Sequence, residues 1–356
     1  MEQDVRNDSR FCQIPSGSKK GLNQLLRPRT KFVAIGLSFI LTTTGLVYYL
    51  MQPSLMVLEP WEKRNYVVRT PHDAIAIDGD ANFTATALLE GWPGDGSPES
   101  PFIFDGLKID FEYEPGDCIS ISSTRVSFII RNCNLTGAGF IPAFEESPAG
   151  GGIILYNTSN GVLVNNICNY NIDGIILADS DSNIVVNNIC NRNDHHGIYL
   201  WHSNSNTVTD NTCKYHNEFA GINLGGSNNT VANNTCNNNM VGIKIGWFST
   251  ESDYNIVMHN ICNNNTDYGI RLIESDFNTV ADNTCNNNRI GIYLDDESES
   301  NTMENNTFSG NTEHDIFHEL ARLEFVAQEI VWFLAGSGMI LVVVVIAVMR
   351  FRRMEI

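Results

Sequence analysis

Two kinds of hydrophobic pattern divide the chain. From about Phe102 to His318, short segments of aliphatic and β-branched residues alternate with polar positions, and each segment ends in Asn, Asp, Ser or Gly. Alternation of this kind predicts half-buried strands joined by tight turns, and no helical periodicity competes with it. Towards either end the alternation gives way to unbroken hydrophobicity. Phe32–Met51 and Ile330–Met349 are uncharged runs of 20 residues. Each is long enough to cross a bilayer as a helix.

The strand segments repeat. Cys168, Cys190, Cys213, Cys236, Cys262 and Cys285 are spaced 22, 23, 23, 26 and 23 residues apart, and Phe308 continues the series after a further 23. Asn166, Asn188, Asn211, Asn234, Asn260, Asn283 and Asn306 stand two residues before these positions; Cys133 is a candidate for an earlier copy, with Asn132 directly before it. Gly174, Gly197, Gly221, Gly242, Gly269 and Gly291 open a Gly-Ile-x-Ile/Leu segment in every copy, and Gly152 opens an earlier one. Asn183, Asn206, Asn229, Asn255, Asn278 and Asn301 form a third column in the same step. Disordered, compositionally biased sequence has no reason to keep several columns in register.

A period near 23 built from short strands and turns describes one coil of a solenoid. Coils stacked at the strand spacing of about 4.8 Å turn every column into a ladder. Ile198 and Leu200 then point inward over Ile175 and Leu177, and Val185, Val208, Val231, Val257 and Val280 form a second apolar column. Buried turn asparagines can donate to the carbonyl of the neighbouring coil and so pair backbone groups that would otherwise be orphaned. The run Asn278-Thr279-Val280-Ala281-Asp282-Asn283-Thr284-Cys285-Asn286-Asn287-Asn288-Arg289-Ile290-Gly291-Ile292-Tyr293-Leu294 resembles the right-handed parallel β-helix repeat proteins of the NosD-like type. The resemblance covers about residues 102–318 and implies an all-β, single-stranded right-handed parallel β-helix of about 8–9 coils. It is specific for fold and poor for function, because similar β-helices include carbohydrate-binding surface proteins, polysaccharide lyases and hydrolases, and a periplasmic copper-delivery factor.

Charge orients the apolar runs. Seven Lys and Arg residues precede Phe32, and Arg350, Arg352 and Arg353 follow Met349. Positive flanks on both terminal sides predict two transmembrane α-helices with both termini cytoplasmic and residues 52–329 extracellular. Leu50-Met51-Gln52-Pro53 offers no small-residue cleavage site, so an uncleaved anchor is expected. The predicted organisation is a basic tail at 1–31, a span at 32–51, a linker and N-terminal cap at 52–101, the β-helix at 102–318, a juxtamembrane segment at 319–329, a span at 330–349 and a tail at 350–356. Over the whole chain 22 Lys and Arg face 41 Asp and Glu, a net charge of −19. The portion between the spans holds 12 of the bases and 37 of the acids. Nucleic acid is excluded as a partner by that field.

The cysteines sit where disulfides are permitted, but neighbours in a parallel column point the same way, which suits buried free thiols better than bridges. His195, His196 and His202 read as solvated residues. No Met-rich or Cys-x-x-Cys motif supports copper handling.

Function is expected on outward faces. Tyr199, Asn223, Lys244, Arg271 and Tyr293 alternate with the stacked aliphatics, with Trp201 and Trp247 nearby. Aromatics and hydrogen-bonding groups at a regular rise suit stacking on sugar rings, which makes these seven the candidate ligand-binding residues. Two interruptions of the repeat, about Gly137–Gly150 and near Trp247–Thr250, are candidate binding loops. Glu251, Glu274 and Glu297, with Asp253, Asp276 and Glu299 two residues later, form an acidic ladder that could hold Ca²⁺ or simply be a solvated turn. No cofactor is required. Asn265-Thr266-Asp267 and Asp295-Asp296 are similar to two pieces of the polygalacturonase pattern, although its Gly-His-Gly and Arg-Ile-Lys pieces are missing. Lys244, Arg271, Asp267, Asp295 and Asp296 are therefore the weak catalytic candidates for a lyase or hydrolase acting on an acidic polysaccharide. The leading expectation is a membrane-anchored surface β-helix presenting a glycan-binding or adhesive face. Asn82, Asn134 and Asn157 begin glycosylation sequons.

Overall fold

A computed structural model describes residues 70–140, 150–246 and 252–319. Both apolar runs, most of the first interrupting loop, Trp247 and Glu251 lie outside the described residues. No helix among the described residues is long and apolar enough to cross a membrane.

The alternating segments form three parallel sheets that wind as a β-solenoid of about nine turns. The Gly-Ile-x-Leu segments make a ten-stranded sheet from Ile75–Asp78 to His314–His318. The valine segments make a nine-stranded sheet from Phe102–Asp105 to Thr302–Glu304. The cysteine segments form the third face, beginning at Thr70–Pro71, with single bridges at Thr235 and Ile261 joining its two parts. Register follows the columns: Ile198 lies between Ile175 and Ile222, Val208 between Val185 and Val231, and Cys190 beside Cys213. These columns are fully buried. The eight described cysteines are buried free thiols.

Each corner uses one device. A residue in the left-handed region turns the chain, and the next residue is a buried ladder residue, asparagine in most coils: Ser205 (φ 57°) before Asn206, Asp210 (φ 57°) before Asn211, and Tyr215 (φ 69°) before His216, which stands in an asparagine column. Asn206 Oδ1 accepts the Asn183 N–H at 2.8 Å, and Asn211 Oδ1 accepts the Asn188 N–H at 2.8 Å. Such pairing satisfies buried backbone groups that a loop would leave open. The third corner carries a ladder that the columns read from sequence did not include: Asn171, Asn193, His216, Asn239, Asn265, Asn288 and Asn311, each three residues after the cysteine position. Thr158, Ser180, Ser203, Ser252, Ser275 and Ser298 add a buried hydroxyl column.

The glycine column exists because the cysteine column of the next coil packs against it. A Cβ on Gly197 would lie 2.7 Å from Cys213 Cβ and 2.6 Å from the Gly221 carbonyl.

Two expectations change. The first coil begins before residue 102, since Ile75–Asp78 already pairs with Ile119–Ser122. Between these strands helix α1 (Asp80–Glu90) covers the open end with Phe83, which packs against Phe102 and Phe128 with ring centroids 5.2 and 5.4 Å apart. Cys133 does not head the cysteine column. Leu135 pairs with Cys168, and Cys133 instead occupies the asparagine rung, its N–H donating to Asn166 Oδ1 at 3.0 Å.

Candidate functional site

Five of the seven sequence-predicted ligand residues are brought into one row. Tyr199, Asn223, Lys244, Arg271 and Tyr293 pair successively across the Ile/Leu sheet, continued by Ile176 above and Phe317 below. Trp201 stands two positions along the same strand as Tyr199. Their exposure does not suit a binding face: Asn223 is fully buried, Lys244 and Tyr293 are 9% exposed, and Tyr199, Trp201 and Arg271 are half-buried. Burial, followed by the neighbouring Arg271 charge, brings the Lys244 ammonium down to about 8, and burial pushes the Tyr199 hydroxyl up to about 12. Arg271 lies over Tyr268 and Tyr293 at 5.1 and 5.4 Å.

The five catalytic candidates do not converge. Asp267 directly precedes the strand Tyr268–Leu272 and accepts from Arg289 at 3.3 Å. Asp295 lies beyond the other end of its strand, Ile290–Leu294, where it accepts the Glu274 N–H at 3.1 Å and the Ser298 hydroxyl at 2.6 Å. The lysine and arginine stand between them on the sheet face. Asp296 is exposed beside Asp295.

The acidic residues serve as another interstrand ladder. Asp253 Oδ1 accepts the Asp276 N–H at 2.7 Å, and Asp276 Oδ1 accepts the Glu299 N–H at 2.6 Å. Glu274 and Glu297 face one another, and the Glu274 charge raises the Glu297 carboxyl. Among the described residues no group of three or more His, Cys, Asp or Glu is placed to hold a metal ion.

The histidines are not all solvated. His202 is exposed and lies 3.6 Å from Asp179, but His196 is buried. Its Nδ1 accepts the Ala220 N–H at 3.2 Å, its Nε2 meets Asn223 Nδ2 at 3.2 Å, and burial depresses its pKa to about 4. The neighbouring His195 is raised instead, because Asp173 accepts from it.

The open site lies at the third corner. Tyr170 (φ 58°), Arg192 (φ 56°) and Tyr215 (φ 69°) are the left-handed corner residues of three successive coils, where later coils carry Asn238, Asn264 and Asn287. Asparagine enters this region readily, whereas a bulky side chain there costs roughly 1 kcal/mol or more. The corner backbone turns all three side chains outward, and the ladder residues Asn171, Asn193 and His216 immediately after them fix the rise. The Arg192 guanidinium lies 5.9 Å from the Tyr170 ring and 5.4 Å from the Tyr215 ring, and it donates to the Tyr170 hydroxyl at 2.9 Å. The tyrosines are 44% and 47% exposed. With Asn193, Asp194, Asn217 and Glu218 they line a groove of about 590 Å³, within the size range of small-ligand sites. The spacing Cys-x-Tyr, Cys-x-Arg, Cys-x-Tyr was present in the sequence, but it becomes a signal only once the third asparagine ladder is recognised. Tyr254 and Phe277 repeat the device at another corner, with rings 5.2 Å apart and 6° from parallel.

Residues 122–318 match the family described as periplasmic copper-binding protein (NosD). The chain belongs to the NosD family. No curated protein matches it. Among solved structures this NosD-family chain is similar to the periplasmic alginate epimerase AlgG, at 15% identity and a TM-score of 0.50, over 65% of this chain and 55% of the epimerase. The chain thus spans about half the length of that enzyme. It is also similar to the A-module of the Azotobacter vinelandii mannuronan C-5 epimerase AlgE4 (15% identity, 68% and 94% covered, TM-score 0.43) and to PfbA, a surface adhesin of Streptococcus pneumoniae (13% identity, 61% and 70% covered, TM-score 0.45). At these identities the likeness is one of fold. The described donors do not fit the copper of the family description. Burial pushes the thiols of Cys190, Cys213 and Cys262 well up within the sealed core, the Nδ1 of His196 is taken by the Ala220 N–H, and the described histidines join no group of three or more ligands.

Proposed function

We propose that this NosD-family protein is a carbohydrate-binding surface β-helix whose Tyr170–Arg192–Tyr215 strip stacks against the rings of a polysaccharide. The strip itself carries the reading: two half-exposed tyrosines bridged by a guanidinium, held at strand rise over a rigid coil. Two rungs separate the rings by about 10 Å, the scale of two sugar units. Apolar C–H faces of a sugar pack on the tyrosines, while Asp194, Asn217 and Glu218 at the groove accept from and donate to its hydroxyls. One arginine against two carboxylates favours a neutral polymer over a uronate, and the acidic chain as a whole adds to that preference. The basic flank of Phe32–Met51 supports a tether that holds the solenoid outside the cell. A glycan array with the full chain in detergent tests the reading, with reducing-end release monitored in parallel. Retention of a neutral polysaccharide without new reducing ends supports binding. Release of fragments moves the assignment to a polysaccharide-cleaving enzyme.

A further inference from the structure

Asparagine occupies two adjacent positions at many corners, and the two differ in chemistry. The ladder asparagine commits its amide inside the stack: Asn234 Nδ2 donates to the Val208 carbonyl at 2.9 Å and to Asn260 Oδ1 at 3.0 Å. The corner residue before the ladder stands in the left-handed region, as do Asn157 (φ 47°), Asn228 (φ 59°), Asn233 (φ 57°), Asn264 (φ 57°) and Asn305 (φ 54°). These five are exposed. No hydrogen bond among the described residues engages their Nδ2 atoms, and Asn157 uses only Oδ1, which accepts from Arg125 at 3.0 Å. Two residues after each comes a hydroxyl: Ser159, Thr230, Thr235, Thr266 and Thr307. Strand alternation sorts the pattern. Two residues after a corner lies an outward position, whereas two residues after a ladder asparagine of the first two corners lies the inward valine or cysteine column. Of the 17 buried asparagines none is followed at that distance by Ser or Thr. Asn82 on α1 and Asn134 on the strand Asn134–Thr136 begin the two remaining sequons of the described residues.

We propose that these five corner asparagines are N-glycosylation sites, which accept an oligosaccharide from a lipid-phosphate-linked donor on the outer side of the membrane. In the transfer the amide Nδ2 forms a bond to the anomeric carbon, and the bond from that carbon to the phosphate oxygen breaks. The lipid phosphate leaves with the electron pair, and one amide proton passes to a base of the membrane transferase. Asn-x-Ser/Thr is the acceptor of this reaction, and an exposed turn is where it is reached. The proposal rests on the placement of the solenoid outside the cell and not on what the corner strip binds. A sugar on a corner Nδ2 leaves the stack intact, because the interstrand bonds run through the residue that follows; a sugar on Asn234 would break both of its amide bonds. The sites are also distributed. No sequon begins between Asn157 and Asn228, the stretch that holds Tyr170, Arg192 and Tyr215. Asn165 and Asn187 are exposed left-handed corner residues there, but Ile167 and Ile189 stand where the hydroxyl is needed. The coils of the groove are thereby left bare.

Glycopeptide mass spectrometry of the full chain, isolated from the membranes of the cells that make it, tests the proposal. Sugar on Asn228, Asn233, Asn264 and Asn305 in at least half of the copies, with Asn165 and Asn187 bare, is the expected result. Two variants check the sorting rule. Thr235→Ala should abolish the sugar on Asn233 alone. Ile189→Thr should place one on Asn187; the outward position 189 pairs with Thr212 in the next coil and already faces solvent, so the exchange keeps the fold. Unmodified asparagine at the corner sequons overturns the proposal, as does sugar on a buried ladder asparagine or an Asn187 that stays bare in Ile189→Thr. Protease shaving of intact cells, run alongside, separates this failure from that of the outward placement. Shaved solenoid peptides without sugar leave the protein outside the cell and remove only the modification.

Discussion

Asn211 donates its backbone N–H to Asn234 Oδ1 at 2.9 Å, while the Asn234 amide donates to the Val208 carbonyl at 2.9 Å and to Asn260 Oδ1 at 3.0 Å. One fully buried side chain thereby ties together three coils. Asn234→Ala removes these bonds and strands buried backbone groups, for which about 2–4 kcal/mol is expected. A fall in melting temperature of roughly 5–15 °C in a thermal scan is the predicted result.

His216 interrupts the third ladder. Its ring nitrogens meet the Cys190 carbonyl at 3.0 Å and the Asn193 carbonyl at 3.1 Å, but imidazole has no amide oxygen to accept the Asn193 N–H as Asn193 accepts that of Asn171. His216→Asn restores the ladder pattern, with its amide taking over the bond to Cys190. A stabilisation of about 1 kcal/mol is expected in denaturant titration.

His196 makes the fold sensitive to acid. The unfolded chain takes up this proton near the ordinary value of 6.5, the folded chain only near 4. The stability due to the neutral ring is therefore complete above pH 6.5 and is lost as pH falls through that window, to a limit of about 3 kcal/mol. The buried neighbour Asp173 and the nearby His195 and His216 act on the same ring, and His195, raised by Asp173, contributes in the opposite sense as pH rises. Melting temperatures of His196→Asn should decline less between pH 6.5 and 4 than those of the wild type.

The coil, its period and its inward columns were legible because each is a repeated side-chain requirement: Ile and Leu over Ile and Leu, Val over Val, Asn two residues before Cys. The third ladder escaped because His216 breaks it and because it overlaps a run already crowded with asparagine, as in Asn237-Asn238-Asn239. The site escaped with it. Tyr170, Arg192 and Tyr215 matter through their left-handed backbone, which no hydropathy pattern records. The row from Tyr199 to Tyr293 was placed correctly on one outward face, yet alternation cannot say whether an outward face is open. Whether Cys133 or Leu135 heads the cysteine column depends on a corner whose length differs from the later ones.

The acidic ladder holds by backbone donors, and that predicts how it responds to neutralisation. Asp276→Asn keeps an oxygen for the Glu299 N–H and removes one charge from between Asp253 and Glu299. A rise in melting temperature of about 1–2 °C at low ionic strength, fading in about 0.5 M salt, is expected.

Binding at the corner strip is the claim on which the functional account stands. The direct measurement is calorimetric titration of the best array polysaccharide into the wild-type chain and into Tyr170→Ala/Tyr215→Ala. The account predicts at least a tenfold loss of affinity in the variant with its melting temperature changed by no more than a few degrees, since both rings are exposed. Undiminished binding in the variant would contradict it.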